Sequence, residues 1–202
     1  RHRQTSFLIC DHEADEPLSS IEEFKIIDVL TRALENDGVV PYFQGIRDNQ
    51  TQSISHYEAL MRIIDVDGTV YAPAYFMDTA KKYHLYSYLS ERMYERVFSL
   101  FAGRGESVSL NFSAYDINSQ KMQQLIFEQL EKAAHPEHFI LEILEDEPFR
   151  DVETLRCFIH KIRQYGVQIA IDDFGSGYSN FLQLMAGIMS PVIPSLIAAG
   201  FL

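Results

Sequence analysis

From Val39 onward, short apolar runs alternate with amphipathic stretches, and most of the apolar runs carry an oxygen-bearing side chain in or at their end. These side chains are Glu58, Asn111, Glu142 and the adjacent pair Asp172 and Asp173. Strands are predicted over 39–43, 54–60, 107–112, 139–144 and 167–171. Helices are predicted over 72–83, 87–101, 118–134 (Asn118 as cap, Pro136 after its exit), 152–165 (ended by Gly166) and from 178 to about 185. Strands alternating with helices give an α/β domain with a mostly parallel sheet and helices outside it. From Asn111 to Glu142, and again from Glu142 to Asp172, is about 30 residues, the size of one strand-plus-helix unit. In barrels built from such units, the carboxyl ends of the strands form the active site. The carboxylates of several strands are therefore expected at one rim.

The first 37 residues read differently. Residues 1–18 look like a leader with an acidic patch at Asp11, Glu13, Asp15 and Glu16. Ser20-Ile21-Glu22-Glu23 has the form of a capping box. It is expected to open a connecting helix with Ile21, Phe24, Ile27, Leu30 and Leu34 on its apolar side, stopped at Asn36-Asp37-Gly38. The division expected is 1–37 as leader and connecting helix and 38–202 as the barrel domain. Because it begins with Arg1, the chain is expected to be a piece of a longer protein with a sensor or regulatory domain upstream. Residues 174–202 contain no Asp, Glu, Lys or Arg, but Pro191 and Pro194 interrupt them, so a covered tail is expected and not a membrane span.

Charge narrows the functions. The formal net charge is −12. Such a surface repels nucleic acid and anionic lipid, so no DNA-binding role is expected, and an anionic ligand would need local cations or arginines. Cys10 and Cys157 fit a reducing compartment and lack zinc spacing, and the seven histidines are scattered without ligand spacing. Four carboxylates meeting one amide would repel one another, and some would take up protons if left alone. A hard divalent cation removes the conflict, and oxygen-only donors suit magnesium, manganese or calcium over zinc. Metal-assisted hydrolysis of a phosphodiester follows as a possible chemistry. The alternative is that each group is a strand-end residue satisfied by a helix N-terminus or a lysine. Arg62, four residues after Glu58, shares its strand face. It could grip a phosphate through its forked donors, or form a surface salt bridge.

The residues around these positions resemble a known family. Tyr57-Glu58-Ala59-Leu60-Met61-Arg62 is similar to the Glu-Ala-Leu-x-Arg signature of EAL domains, bacterial enzymes that open cyclic di-GMP to the linear dinucleotide pGpG. Tyr42-Phe43-Gln44-Gly45-Ile46, the Pro73 and Phe76 pair, Asn111-Phe112-Ser113, Leu141-Glu142-Ile143-Leu144-Glu145 and Asp172-Asp173-Phe174-Gly175-Ser176-Gly177-Tyr178-Ser179 resemble further family blocks, in order, from about residue 39 to about 185. The resemblance implies a TIM-like (β/α) barrel of EAL type holding two magnesium or manganese ions. By position it implies Glu58, Asn111, Glu142, Asp172 and Asp173 as metal ligands, with Glu58, Asp172 and Asp173 catalytic. It implies Gln44, Leu60 and Arg62 as contacts to the dinucleotide. Glu145 would hold the loop 174–179, which the family also links to dimerisation. A cytoplasmic bacterial protein and a homodimer are the matching expectations. The sequence also departs from the family. The family barrel has about eight units, roughly 240 residues. Here three strands are expected to be missing, and "SPVIPSLIAAGFL" (190–202) offers neither the family's lysine nor its general-base glutamate. A degenerate domain acting as a cyclic di-GMP receptor or a protein-interaction module is the alternative.

Overall fold

Asn36-Asp37-Gly38 ends the first helix, but not with glycine at the left-handed position. Asp37 takes the positive φ, 56°. The Gly38 N–H then donates back to the Ala33 carbonyl at 2.7 Å, closing a Schellman turn. Gly38 is needed for a different reason: a Cβ there would lie 2.2 Å from the Ile64 carbonyl oxygen, where the chain enters the sheet.

The computed structural model describes residues 16–144 and 152–172. In chain order these form α1 (Glu16–Glu35), β1 (Val39–Arg47), β2 (Ile54–Ile64), β3 (Val70–Tyr71), α2 (Pro73–Lys82), α3 (Tyr86–Phe101), β4 (Val108–Phe112), α4 (Ala114–Asn118), α5 (Gln120–Lys132), a 3-10 turn (Pro136–His138), β5 (Phe139–Leu144), α6 (Val152–Arg163) and β6 (Gln168–Asp172). The expected helix at 178–185, the glycine loop, Asp173 and Glu145 lie outside the described residues.

The strands form one sheet in the order β1-β2-β4-β5-β6, with β3 paired to β2. β2, β4, β5 and β6 run parallel, as the strand-helix alternation requires. β1 is the exception, an antiparallel hairpin partner of β2 from Val39 opposite Ile63 to Arg47 opposite Ile54. Asp48 makes the hairpin turn by accepting from the Gln50 and Thr51 amides at 2.9 and 2.6 Å. Among the described residues the sheet is open.

The helix-facing side of the sheet is apolar. Val108, Leu110, Phe112, Phe139, Leu141 and Ile143 are all buried. Aromatic rings fill the gap to the helices: Phe98 on Phe139 with centroids 4.5 Å apart, Tyr94 on Phe112 at 4.6 Å, and Phe158 within 6.0 Å of Phe112. Burying each such ring contributes about 1.5–3 kcal/mol.

Two local expectations change. α1 starts at Glu16, so Ser20 lies inside the helix and not at its N-cap position, and the buried stripe is Ile26, Val29, Leu30 and Ala33. Ile21 and Phe24 are exposed. Spacings of three, four and seven from Ile26 put that stripe on the sheet and α2, where Arg32 and Glu23 also make tertiary ion pairs with Asp65 and Lys82. The predicted helix 118–134 is two helices. Asn118 ends α4, and Ser119 caps α5 by accepting from the Met122 amide. A capping box at Ser113 and Asp116 starts α4, one turn earlier than periodicity alone suggests.

Candidate functional site

The strand register assembles the site on the sheet face away from the helices. Gln44 on β1 stands opposite Glu58 on β2, and Glu58 opposite Ser109 on β4. Two residues on, Asn111 stands opposite Glu142 on β5, and Glu142 opposite Ala170 on β6. Asp172 occupies the β6 register position two residues past Ala170. The oxygen-bearing residues thus step across the sheet toward the carboxyl ends of the parallel strands.

Glu58 was expected near the end of its strand. It lies in the middle, because β2 stays paired with β1 and β3 as far as Ile64, after its own pairing with β4 has ended at Ala59. Leu60 and Arg62 continue the same face toward the rim. Their β1 partners are Tyr42 and Val40. The Arg62 guanidinium lies 5.7 Å from the centre of the Tyr42 ring, and its Nη1 donates to the Met61 carbonyl at 2.8 Å. Among the described residues Arg62 forms no ion pair.

One contact ties two strands at the centre of this face. Asn111 Nδ2 donates to Glu58 Oε1 at 3.1 Å. Asn111 Oδ1 is buried and, among the described residues, accepts nothing. Ser109 Oγ, on the residue opposite Glu58, is also buried and, among the described residues, has no hydrogen-bond partner. Buried oxygens without partners are uncommon because each loses its hydration. Here two of them flank a carboxylate. His56, two residues before Glu58, is pushed below the usual imidazole range by burial, and the Glu58 charge opposes that shift.

The residues fit a hard divalent ion. All donors are oxygens, as such ions prefer, and one is an amide carbonyl with lone pairs to spare. Glu58 and Asn111, already in contact through the Asn111 N–H₂, are the residues on this face that would hold such an ion between them. A half-turn of the side-chain amide about the Asn111 Cβ–Cγ bond would exchange N–H₂ for Oδ1 and bring that oxygen beside the Glu58 carboxylate.

Behind Asn111 is a group that the sequence reading missed. Asp116 Oδ2 accepts from Tyr86 OH (2.7 Å), Tyr94 OH (2.9 Å), Ser113 N–H (3.0 Å) and Ser113 Oγ (2.8 Å). Tyr94 OH also lies 2.9 Å from the backbone carbonyl of Asn111, and its one proton serves either acceptor. Burial pushes the Asp116 carboxyl up, and the hydrogen bonds from Tyr86, Ser113 and Tyr94 pull it back. Ser-x-x-Asp directly after Asn111-Phe112 was a readable cap signal. The tyrosines, from α3, carried no signal at all.

The family model described as EAL domain matches residues 27–187. The chain belongs to the EAL domain family. This EAL domain is 25% identical over 166 residues to the probable cyclic di-GMP phosphodiesterase PdeA of Escherichia coli K12, covering 79% of this chain and 22% of that protein. It spans between 20% and 32% of the length of the first curated relatives it matches. Among solved structures it is similar to the phosphodiesterase PaMucR in its cyclic di-GMP complex, with TM-score 0.68, 26% identity, and coverage of 79% of this chain and 68% of that one. It is also similar to the Bacillus subtilis EAL-domain protein YkuI in complex with substrate cyclic di-GMP and calcium, with TM-score 0.64, 27% identity, and coverage of 81% and 42%. The fold is accordingly the TIM-like barrel of these EAL domains, and the described strands form an open part of it. No helix of the described residues is long and apolar enough to cross a membrane.

Proposed function

We propose that this EAL domain hydrolyses cyclic di-GMP to pGpG in a reaction that depends on Mg²⁺ or Mn²⁺. The observation that carries the reading is the Glu58–Asn111 contact with its unspent amide oxygen, in a chain similar to a phosphodiesterase solved with cyclic di-GMP. Glu58, Asn111, Glu142, Asp172 and Asp173 would hold the ions. When bound, such ions clamp phosphate oxygens and lower the pKa of a water. The protein supplies the rest. Arg62 meets a phosphate with its remaining forked donors, oriented by Tyr42. Leu60 offers an apolar floor, and Gln44, across from Glu58, an amide. Glu145 would hold loop 174–179. A net charge of −12 makes the ions necessary in another way, since the ligand is itself an anion. A homodimer in the bacterial cytoplasm, fed by an upstream sensor, and division at residue 38 complete the proposal.

The test is pGpG formation from cyclic di-GMP with and without Mn²⁺. Expected is product only with metal, and none from Glu58→Gln. Binding of cyclic di-GMP without product would favour the receptor reading. Neither binding nor product would end the proposal.

A further inference from the structure

The histidines, read from sequence as scattered, are not all so in space. His135, Glu137 and His138, around the 3-10 turn before β5, each place a ligand atom within 4.8 Å of the other two. His135 Nδ1 is 3.3 Å from Glu137 Oε1, and the two imidazoles stack with centroids 5.0 Å apart. His138 Nδ1 is buried and, among the described residues, has no hydrogen-bond partner.

The turn is held from both sides. Pro136 fixes its start, and Phe139 follows it, buried against Phe98 and paired with Val108. Glu137 sits close over Gly166, where a Cβ would lie 3.2 Å from its own Cβ. The side chains of His135 and Glu137 are about half exposed, so they can rotate the short distance onto a shared ion. Two imidazoles and one carboxylate are a nitrogen-rich set, suited to zinc and its neighbours, with a fourth position left to water. The oxygen-only cluster contains Glu142, farther along β5 by roughly 10 Å of strand. The donor chemistry separates the two places.

We propose that His135, Glu137 and His138 form a binding site for a transition-metal dication of the Zn²⁺ class at the amino end of β5, distinct from the oxygen cluster and independent of the reaction proposed above.

Zn²⁺ titrated calorimetrically into the chain, with Mg²⁺ in excess to occupy oxygen sites, is expected to fill one site. His135→Ala with His138→Ala should weaken it by more than the ~10–100-fold that loss of an outer-shell partner costs. Glu58→Gln and Cys157→Ser should leave it unchanged. Cu²⁺ should show nitrogen hyperfine coupling from imidazole in its paramagnetic resonance spectrum, lost in the same double variant. Should that variant fold poorly by circular dichroism, His135→Ala alone suffices, since that side chain is half exposed. Zn²⁺ binding unaltered by loss of the imidazoles, or no Zn²⁺ binding by the unaltered chain, would overturn the assignment.

Discussion

The side-chain amide of Asn111 reaches from β4 to the Glu58 carboxylate on β2 and donates to it at 3.1 Å, with its own oxygen buried and unbonded. Replacing this donor by a second carboxylate tests what the contact stands in for. In Asn111→Asp two like charges face each other, so the metal-free protein is expected to lose on the order of 1 kcal/mol or more. At this chain length each kcal/mol shifts Tm by about 2–4 °C. Mn²⁺ should restore the loss, making its stabilising shift larger in the variant than in the parent. Thermal unfolding with and without Mn²⁺ checks this, and equal shifts would speak against a cation between Glu58 and position 111.

Arg62 combines the Tyr42 ring, one bond to the Met61 carbonyl, and no ion pair among the described residues. Lysine keeps the charge but loses the fork and the planar stack. Arg62→Lys is expected to weaken cyclic di-GMP by about tenfold, about 1.4 kcal/mol, with Tm unchanged. Equilibrium binding of the nucleotide reads it directly.

Tyr94 and Tyr86 both donate to Asp116, but only Tyr94 also reaches the Asn111 carbonyl. Tyr94→Phe and Tyr86→Phe should therefore each cost about 1.5–3 kcal/mol of stability. Mn²⁺ affinity should fall only in Tyr94→Phe. Parallel denaturant unfolding and Mn²⁺ calorimetry separate the two effects.

Much of this was readable in the chain beforehand, for definite reasons. Strand positions followed from apolar runs alternating with amphipathic stretches, and the return of Asn111, Glu142 and Asp172 once per unit put them on successive strands, while their register came from the sheet. Most of what was missed depends on partners distant in sequence. Glu58 falls in mid-strand because β1 and β3 hold β2 together past it. The buried stripe of α1 is set by the sheet and α2, so Ile21 and Phe24 are left outside although they fit a helical period. The Asp116 group needs tyrosines from α3, and the His135, Glu137 and His138 cluster needs a 3-10 turn that no periodicity reveals.

The Arg32 guanidinium holds Asp65 bidentately, at 2.9 and 2.6 Å, and pins α1 to the β2–β3 turn. That bond, with help from the Val66 amide, keeps the Asp65 carboxyl below its ordinary range. A lowered carboxylate pKa gives stability above the unfolded value, about 3.9, that is lost as pH falls through the folded value. The stability difference between the parent and Asp65→Asn should therefore be constant from about pH 7 to pH 5 and shrink below about pH 4. Urea unfolding across that range measures it.

Oxygen donors from successive strands are expected to gather around a divalent ion on one face of the sheet. Anomalous diffraction from crystals soaked in Mn²⁺ tests it most directly. A peak is expected in coordination contact with Glu58 and the Asn111 side-chain oxygen, at the ~2.0–2.2 Å typical of small hard cations. Anomalous density elsewhere on the protein, with none between Glu58 and Asn111, would contradict it.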